Sequence, residues 1–264
     1  MTMPLDHATM THPLLTTPAI GTPEAPALSA RMLGKSFPNG PVMVPVIRDL
    51  DLTIPGHSMT LVKGPSGCGK STLLAMLAGL TEPDHGGVQI GDTDLWALPT
   101  AARDAFRLAQ MGFIFQGAVL FPALTAAEQI RFVLEQMGIP AAEARDRAHA
   151  ALDDVGLTPR RDLRPAALSG GEKQRVSIAC ALAKRPRVIF ADEPTSALDS
   201  ENGRIVGTLL RDTAHRSGAA VVCVTHDDRL TTYADRILHM EDGRITATNH
   251  RPQAQTITEN GQNR

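Results

Sequence analysis

The chain has 264 residues, 42% of them hydrophobic and 20% charged, which suits one large α/β domain and is too apolar for a disordered chain. Lys plus Arg number 26 and Asp plus Glu 28, a net charge of -2, so no global positive field favours nucleic acid or an anionic membrane. Cys68, Cys180 and Cys223 lie far apart without a C-x-x-C, which argues against a disulfide framework or a Cys-based zinc site, and no apolar run approaches the ~20 residues that span a bilayer.

Residues 1 to about 28 are rich in Thr, Pro, Ala and Met and contain no Lys or Arg. They lack the basic start and apolar stretch of a secretory signal and are expected to form a disordered extension. Val42 to Ile54, interrupted by Pro45, reads as an exposed strand pair. Met59–Val62 is a short continuous apolar run, the pattern of a strand buried on both faces, and an apolar helix is expected over Thr72–Leu80. Val88-Gln89-Ile90 alternates as a half-buried strand.

The middle of the chain, about 101–180, reads as helical. Thr125-Ala126-Ala127-Glu128 is a capping box, followed at helical spacing by Ile130, Val133, Leu134 and Met137 and closed by Gly138. Ala144, Ala148, Ala151, Leu152 and Val155 mark the next helix, closed by Gly156. A second capping box, Ser169 to Glu172, opens a helix carrying Val176, Ile178, Ala179 and Leu182 that stops before Pro186. Val188–Ala191 and Ala219–Thr225 are further buried strands, and Asp242-Gly243 sets a hairpin between Arg236–Met240 and Arg244–Thr248. A polar tail is expected over 249–264. The folded body is then 29–248: an α/β domain with a parallel-sheet core, an antiparallel flank and an inserted helical subdomain.

Three segments carry chemistry. Gly64-Pro65-Ser66-Gly67-Cys68-Gly69-Lys70-Ser71 fits G-x-x-x-x-G-K-[ST], follows a strand and opens a helix at Thr72, the context of a P-loop. Its glycines let backbone N–H groups turn inward as a nest for phosphates, and the helix N-terminus adds partial positive charge. Lys70 then reaches the β- and γ-phosphates and Ser71 offers a hydroxyl to Mg2+. Val188 to Glu193 is a buried strand ending in two acids. Beside a P-loop, Asp192 is placed to hold the Mg2+ and Glu193 to deprotonate a water attacking the γ-phosphate. In Leu168-Ser169-Gly170-Gly171-Glu172-Lys173-Gln174-Arg175 two glycines occupy the first helical turn, where they weaken the helix. They make sense if another group must approach that backbone, and a bared helix N-terminus suits a phosphate.

This last segment resembles the signature motif of the ATP-binding cassette (ABC) ATPases, and the chain is similar to that family over about 29–248. Six motifs stand in the family's order: the P-loop at 64–71, the Q-loop glutamine Gln116, the signature at 168–172, the acidic strand end at 188–193, the D-loop Ser196-Ala197-Leu198-Asp199, and the switch histidine His226. The resemblance implies an ATP-binding and ATP-hydrolysing subunit with Glu193, His226, Gln116 and Lys70 as catalytic residues. Ser71, Gln116 and Asp192 would hold Mg2+. ATP would be bound by Phe37, stacked on adenine, by 64–72, and by Ser169, Gly170, Gly171, Glu172 and Asp199 at the interface with a second copy. That copy would dock head to tail, each ATP lying between one P-loop and the partner's signature. A separate transmembrane permease, contacted through the Gln116 loop, would tie the chain to the cytoplasmic face of the inner membrane; no nucleic-acid partner is implied.

The segment before the P-loop and the stretch Phe115 to Thr125 look like the lipoprotein-releasing, macrolide-exporting and cell-division cassettes. Cys180 stands where that family often has Arg, and His57 where it usually has Glu. A membrane mechanotransmission ATPase and a soluble ABC ATPase are the alternative readings. The signature and D-loop argue against a small-molecule P-loop kinase, and Glu193 against a module that binds without turnover. Cys68 reads as a small inert filler and Arg160 to Arg164 as a solvated loop; Trp96 and Tyr233 suggest no role.

Overall fold

The computed structural model describes residues 26–250. The expected N-terminal extension up to residue 25 and the tail from residue 251 lie outside the described residues. Strand β1 (Pro26–Asn39) already begins inside the stretch assigned to the extension, so the folded body starts before the expected boundary at 29. It pairs antiparallel with β2 (Val42–Pro55). The expected strand pair at 42–54 is thus a single strand. Pro45 sits opposite Ser36 at a register shift on the outer strand of its sheet, where a missing N–H is tolerated.

Among the described residues ten strands make two sheets. One is antiparallel, in the order β2-β1-β4-β5, with β4 at His85–Ile90 and β5 at Thr93–Asp94. The other has six strands in the order β10-β9-β3-β8-β7-β6. Its parallel part comprises β3 (Met59–Lys63), β6 (Met111–Ile114), β7 (Val188–Asp192), β8 (Ala220–Val224) and β9 (Arg236–Glu241). Only β10 (Arg244–His250) runs antiparallel, joined to β9 by a hairpin with positive φ at Asp242 and Gly243. The runs read as doubly buried are so: Val188 and Phe190 of β7 face one core while Ile189 and Ala191 face the other.

Helix α1 (Lys70–Leu77) is wedged between the sheets with Leu73, Leu74, Met76 and Leu77 buried; it begins at Lys70 and stops short of the expected Leu80. The second core holds α3 (Ala126–Gln136), α4 (Ala141–Asp154), α5 (Gly170–Ala183) and α6 (Ser200–Ser217) against the other sheet face. Both capping boxes form, with both reciprocal bonds present at Thr125/Glu128 and at Ser169/Glu172. The stretch 101–180 is not wholly helical: after α2 (Thr100–Gln110), β6 enters and closes the parallel sheet. Ile130, Leu134 and Leu152 share one continuous core with Ile189 and Val221, so the helical lobe grows out of the sheet's packing.

Candidate functional site

Four parallel strands end on the same edge of the sheet. The P-loop follows β3, Gln116 follows β6, Asp192 and Glu193 finish β7, and His226 follows β8. The carboxyl edge of an open parallel sheet is where such folds collect ligand-binding loops.

The P-loop folds back under the sheet. A Cβ on Gly64 would stand 2.1 Å from Met240 O and 2.9 Å from Cys68 Sγ, so only glycine lets strand β9 and the loop come together. Cys68 is buried beneath the loop, while Pro65, Ser66 and Gly67 face outward. Lys70 Nζ donates to Gly64 O at 2.9 Å and Pro65 O at 2.8 Å. The ammonium thus lies within the loop, on carbonyls it can exchange for an anion. Ser71 Oγ donates to Asp192 Oδ1 at 3.2 Å. Burial raises the Asp192 carboxyl above its ordinary pKa, opposed by the Ser71 bond. A half-buried carboxylate beside a hydroxyl, at a phosphate-binding loop, fits a hard divalent cation that takes its remaining ligands from phosphate and water. No group of three or more His, Cys, Asp or Glu among the described residues is arranged to hold a metal ion.

Glu193 turns out of β7 with a φ of 45°, a left-handed conformation that non-glycine residues adopt mainly at constrained sites. Its carboxylate accepts from Thr225 Oγ1 at 2.9 Å and from the His226 backbone N–H at 3.1 Å, and lies 2.8 Å from His226 Nδ1. An ionised carboxylate only accepts, so Nδ1 carries the proton. The His226 side chain is 72% exposed and Glu193 only 13%; the acid is held and the imidazole reaches out.

Gln116 stands exposed, two residues beyond Ile114, whose register partner Ala191 precedes Asp192. The loop behind it is stapled by buried Gln129, which accepts from Phe121 N–H at 3.0 Å and donates to Phe121 O at 2.7 Å and Leu124 O at 3.1 Å. Phe37 lies near the tip of the β1–β2 hairpin, opposite Val44.

The signature helix bonds to the Gln116 loop, Gln174 Nε2 donating to Phe115 O at 3.4 Å. Ser169 and Gly170 are exposed at the N-terminus of α5, and among the described residues no hydrogen bond joins 168–172 to 64–71. Glu172 is drawn down to about 2 by the Ser169 backbone N–H and by Arg160. Asp199 caps α6 by accepting from Asn202 N–H.

The structure adds residues that the sequence did not single out. Thr225 orients Glu193. Asp227 accepts from Thr195 Oγ1 at 2.7 Å and pairs with Arg229 at 2.8 Å, tying the switch loop to the D-loop. Burial opposes its ionisation, but the Arg229 and Thr195 bonds outweigh that and bring it to about 2. The Thr225–Glu193 and Thr195–Asp227 bonds each span 32 residues, so no local spacing marks them; Arg229 lies beside Asp227 in the chain.

Comparison with known proteins follows this geometry. Residues 47–196 match the ABC transporter family. The lipoprotein-releasing system ATP-binding protein LolD of Pseudomonas fluorescens is 42% identical over 225 residues, covering 85% of this chain and 99% of LolD. A putative hemin import ATP-binding protein, HrtA, of Staphylococcus haemolyticus is 37% identical over 83% of this chain and 99% of its own. The dimeric, post-hydrolysis structure of the ATP-binding cassette MJ0796 with ADP and Pi superposes with a TM-score of 0.78 at 32% identity, covering 84% of this chain and 98% of that one.

Proposed function

The chain belongs to the ABC transporter family as an ATP-hydrolysing cassette, and from that premise we propose how its residues divide the work. The observation that carries the reading is the convergence of Lys70, Ser71, Gln116, Asp192, Glu193 and His226 on one sheet edge. ATP binds with its phosphates in the nest of 64–72, and Lys70 exchanges the Gly64 and Pro65 carbonyls for β- and γ-phosphate oxygens. Adenine stacks on Phe37. Ser71 and Asp192, with Gln116, would hold Mg2+, which would supply positive charge to offset that of the phosphates. Water attacks the γ-phosphorus in line with the leaving ADP oxygen, its proton passing to the Glu193 carboxylate that Thr225 and the His226 N–H hold in place. His226 Nε2, the ring nitrogen that Glu193 does not engage, donates to the γ-phosphate in the imidazolium form, which carries a proton on both nitrogens.

The second half of the site is the partner's Ser169–Glu172 turn, with Asp199 beside it, in a head-to-tail pair. MJ0796, the dimeric neighbour, supports this arrangement. No helix among the described residues is long and apolar enough to cross a membrane, and a separate permease is the proposed membrane partner, docking from the cytoplasmic side. Its place is the apolar rim beside Gln116: Leu80, Phe115, Val119 and Phe121 are exposed, next to a groove of about 240 Å³ that also holds Arg107 and Lys184. LolD and HrtA are named for different cargoes, which suits a cassette whose cargo is set by its permease.

Glu193→Gln tests the reading. The variant should bind ATP, lose phosphate release by roughly 100-fold or more, as expected on losing a general base, and accumulate an ATP-bound dimer in sedimentation. Near-normal phosphate release would remove Glu193 from the mechanism.

A further inference from the structure

The two glycines of the signature turn have different surroundings. A Cβ on Gly170 would meet nothing within 4 Å, whereas a Cβ on Gly171 would stand 2.5 Å from Asn202 Oδ1 and 2.6 Å from its Cγ. Gly171 is buried, and what covers it is this amide from the first turn of α6.

Both polar ends of the Asn202 side chain are engaged. Arg175 Nη1 donates to Oδ1 at 2.7 Å, and Nδ2 donates to Asp199 Oδ2 at 2.8 Å. The backbone N–H of Asn202 caps onto the other Asp199 oxygen at 2.8 Å, a bond that any residue here would keep. The side chain therefore joins the signature helix, at Gly171 and Arg175, to the end of the D-loop at Asp199. Only an amide meets both demands, since one end must accept from a guanidinium and the other donate to a carboxylate. A carboxylate at 202 would repel Asp199, and an apolar side chain would leave Arg175 and Asp199 without these bonds.

We propose that Asn202 is a positioning residue, a strut that fixes the signature turn relative to the D-loop of the same chain, and that Gly171 is glycine to admit this strut. The proposal rests on the composite-site reading above. In a head-to-tail pair the signature turn and Asp199 both face the partner, so closure delivers both contacts together only if their spacing is held. Gly170, open on its outer face, is left as the glycine that lets a phosphate approach.

The test uses steady-state ATPase kinetics of the full chain. Asn202→Ala should lower kcat by about tenfold, the scale expected when catalytic groups are misplaced by a fraction of an ångström. KM for ATP should stay near wild type because the P-loop is untouched, and the variant should remain folded because the Asp199 cap onto the 202 backbone N–H is kept. Gly171→Ala should be more severely impaired, and the double variant Gly171→Ala, Asn202→Ala should recover to the level of Asn202→Ala alone, because the clash is gone. An Asn202→Ala enzyme with wild-type kcat would overturn the strut. A double variant as inactive as Gly171→Ala would show that Gly171 serves the phosphate instead. Asn202→Ala only truncates a side chain, so it remains a test if Gly171→Ala fails to fold. Failure of the composite-site reading would look different: wild-type specific activity would then be independent of protein concentration.

Discussion

Phe37 shows how much one side chain's exposure decides. The residue is 39% exposed, with Lys35 Nζ 5.6 Å from its ring centroid, whereas a phenylalanine that serves packing alone, such as Phe190, is wholly buried. On the proposed reading this exposed ring is the platform on which adenine stacks. Phe37→Ala should weaken ATP binding by about 1–3 kcal/mol, the range of base–aromatic stacking. Inorganic triphosphate should bind variant and wild type equally in calorimetric titration; equal weakening of both ligands would make Phe37 a core residue. Burial also decides the character of two cysteines. Burial pushes Cys180 up to about 12 and Cys223 well above its ordinary value, so both are inert thiols at neutral pH. Cys180, where the family often has Arg, is a filler against the core.

Helix α5 carries its own start signal, and that signal is ionic. Ser169 accepts from the Glu172 N–H while Glu172 accepts from the Ser169 N–H at 2.8 Å and from Arg160 at 2.9 Å. These bonds hold the Glu172 carboxyl at about 2 instead of 4.5. A depressed carboxylate contributes stability that is complete above the unfolded value and is lost as pH falls through the folded one. Acidification below about pH 4.5 protonates the unfolded chain first and so erodes the folded state. Glu172→Gln cannot ionise, so its thermal midpoint should fall less steeply than that of wild type between about pH 5 and 3. Parallel slopes in the two pH series would exclude Glu172 from the acid limb. Ser169→Ala removes the other half of the box and should cost about 1 kcal/mol in chemical denaturation, the usual value of an N-cap. A larger loss of turnover than of stability in the same variant would report the partner's phosphate.

At the scale of the whole molecule, the composite-site proposal requires two chains for each complete site, one giving the P-loop and the other the signature. A mixture of Lys70→Ala and Ser169→Arg chains should recover part of the phosphate release that each lacks alone, because mixed pairs hold one site with both halves intact. Specific activity of the wild type should also rise with protein concentration. A strictly monomeric chain in sedimentation, with activity independent of concentration, would refute the arrangement. Much of this was legible in the residues. The P-loop, the two capping boxes and the Asp242-Gly243 hairpin are written in contiguous residues because turn, cap and nest chemistry acts within a few residues along the chain. Long apolar runs likewise announced β3, β7 and β8, since a strand covered on both faces needs no alternation. What escaped was whatever depends on a distant partner. Met111–Ile114, interrupted by Gly112, does not read as a strand by itself and becomes one by pairing with Val188–Ala191. Pro45 looked like a break and is tolerated because β2 is an outer strand. The hold of Thr225 on Glu193, the packing of Asn202 onto Gly171, and the convergence of four loops on one edge join residues 31 or more positions apart. The sequence by itself determined the chemical groups and their order along the chain. Which groups meet was decided by the tertiary structure, because long-range contacts follow from strand pairing and core packing, which no local window contains.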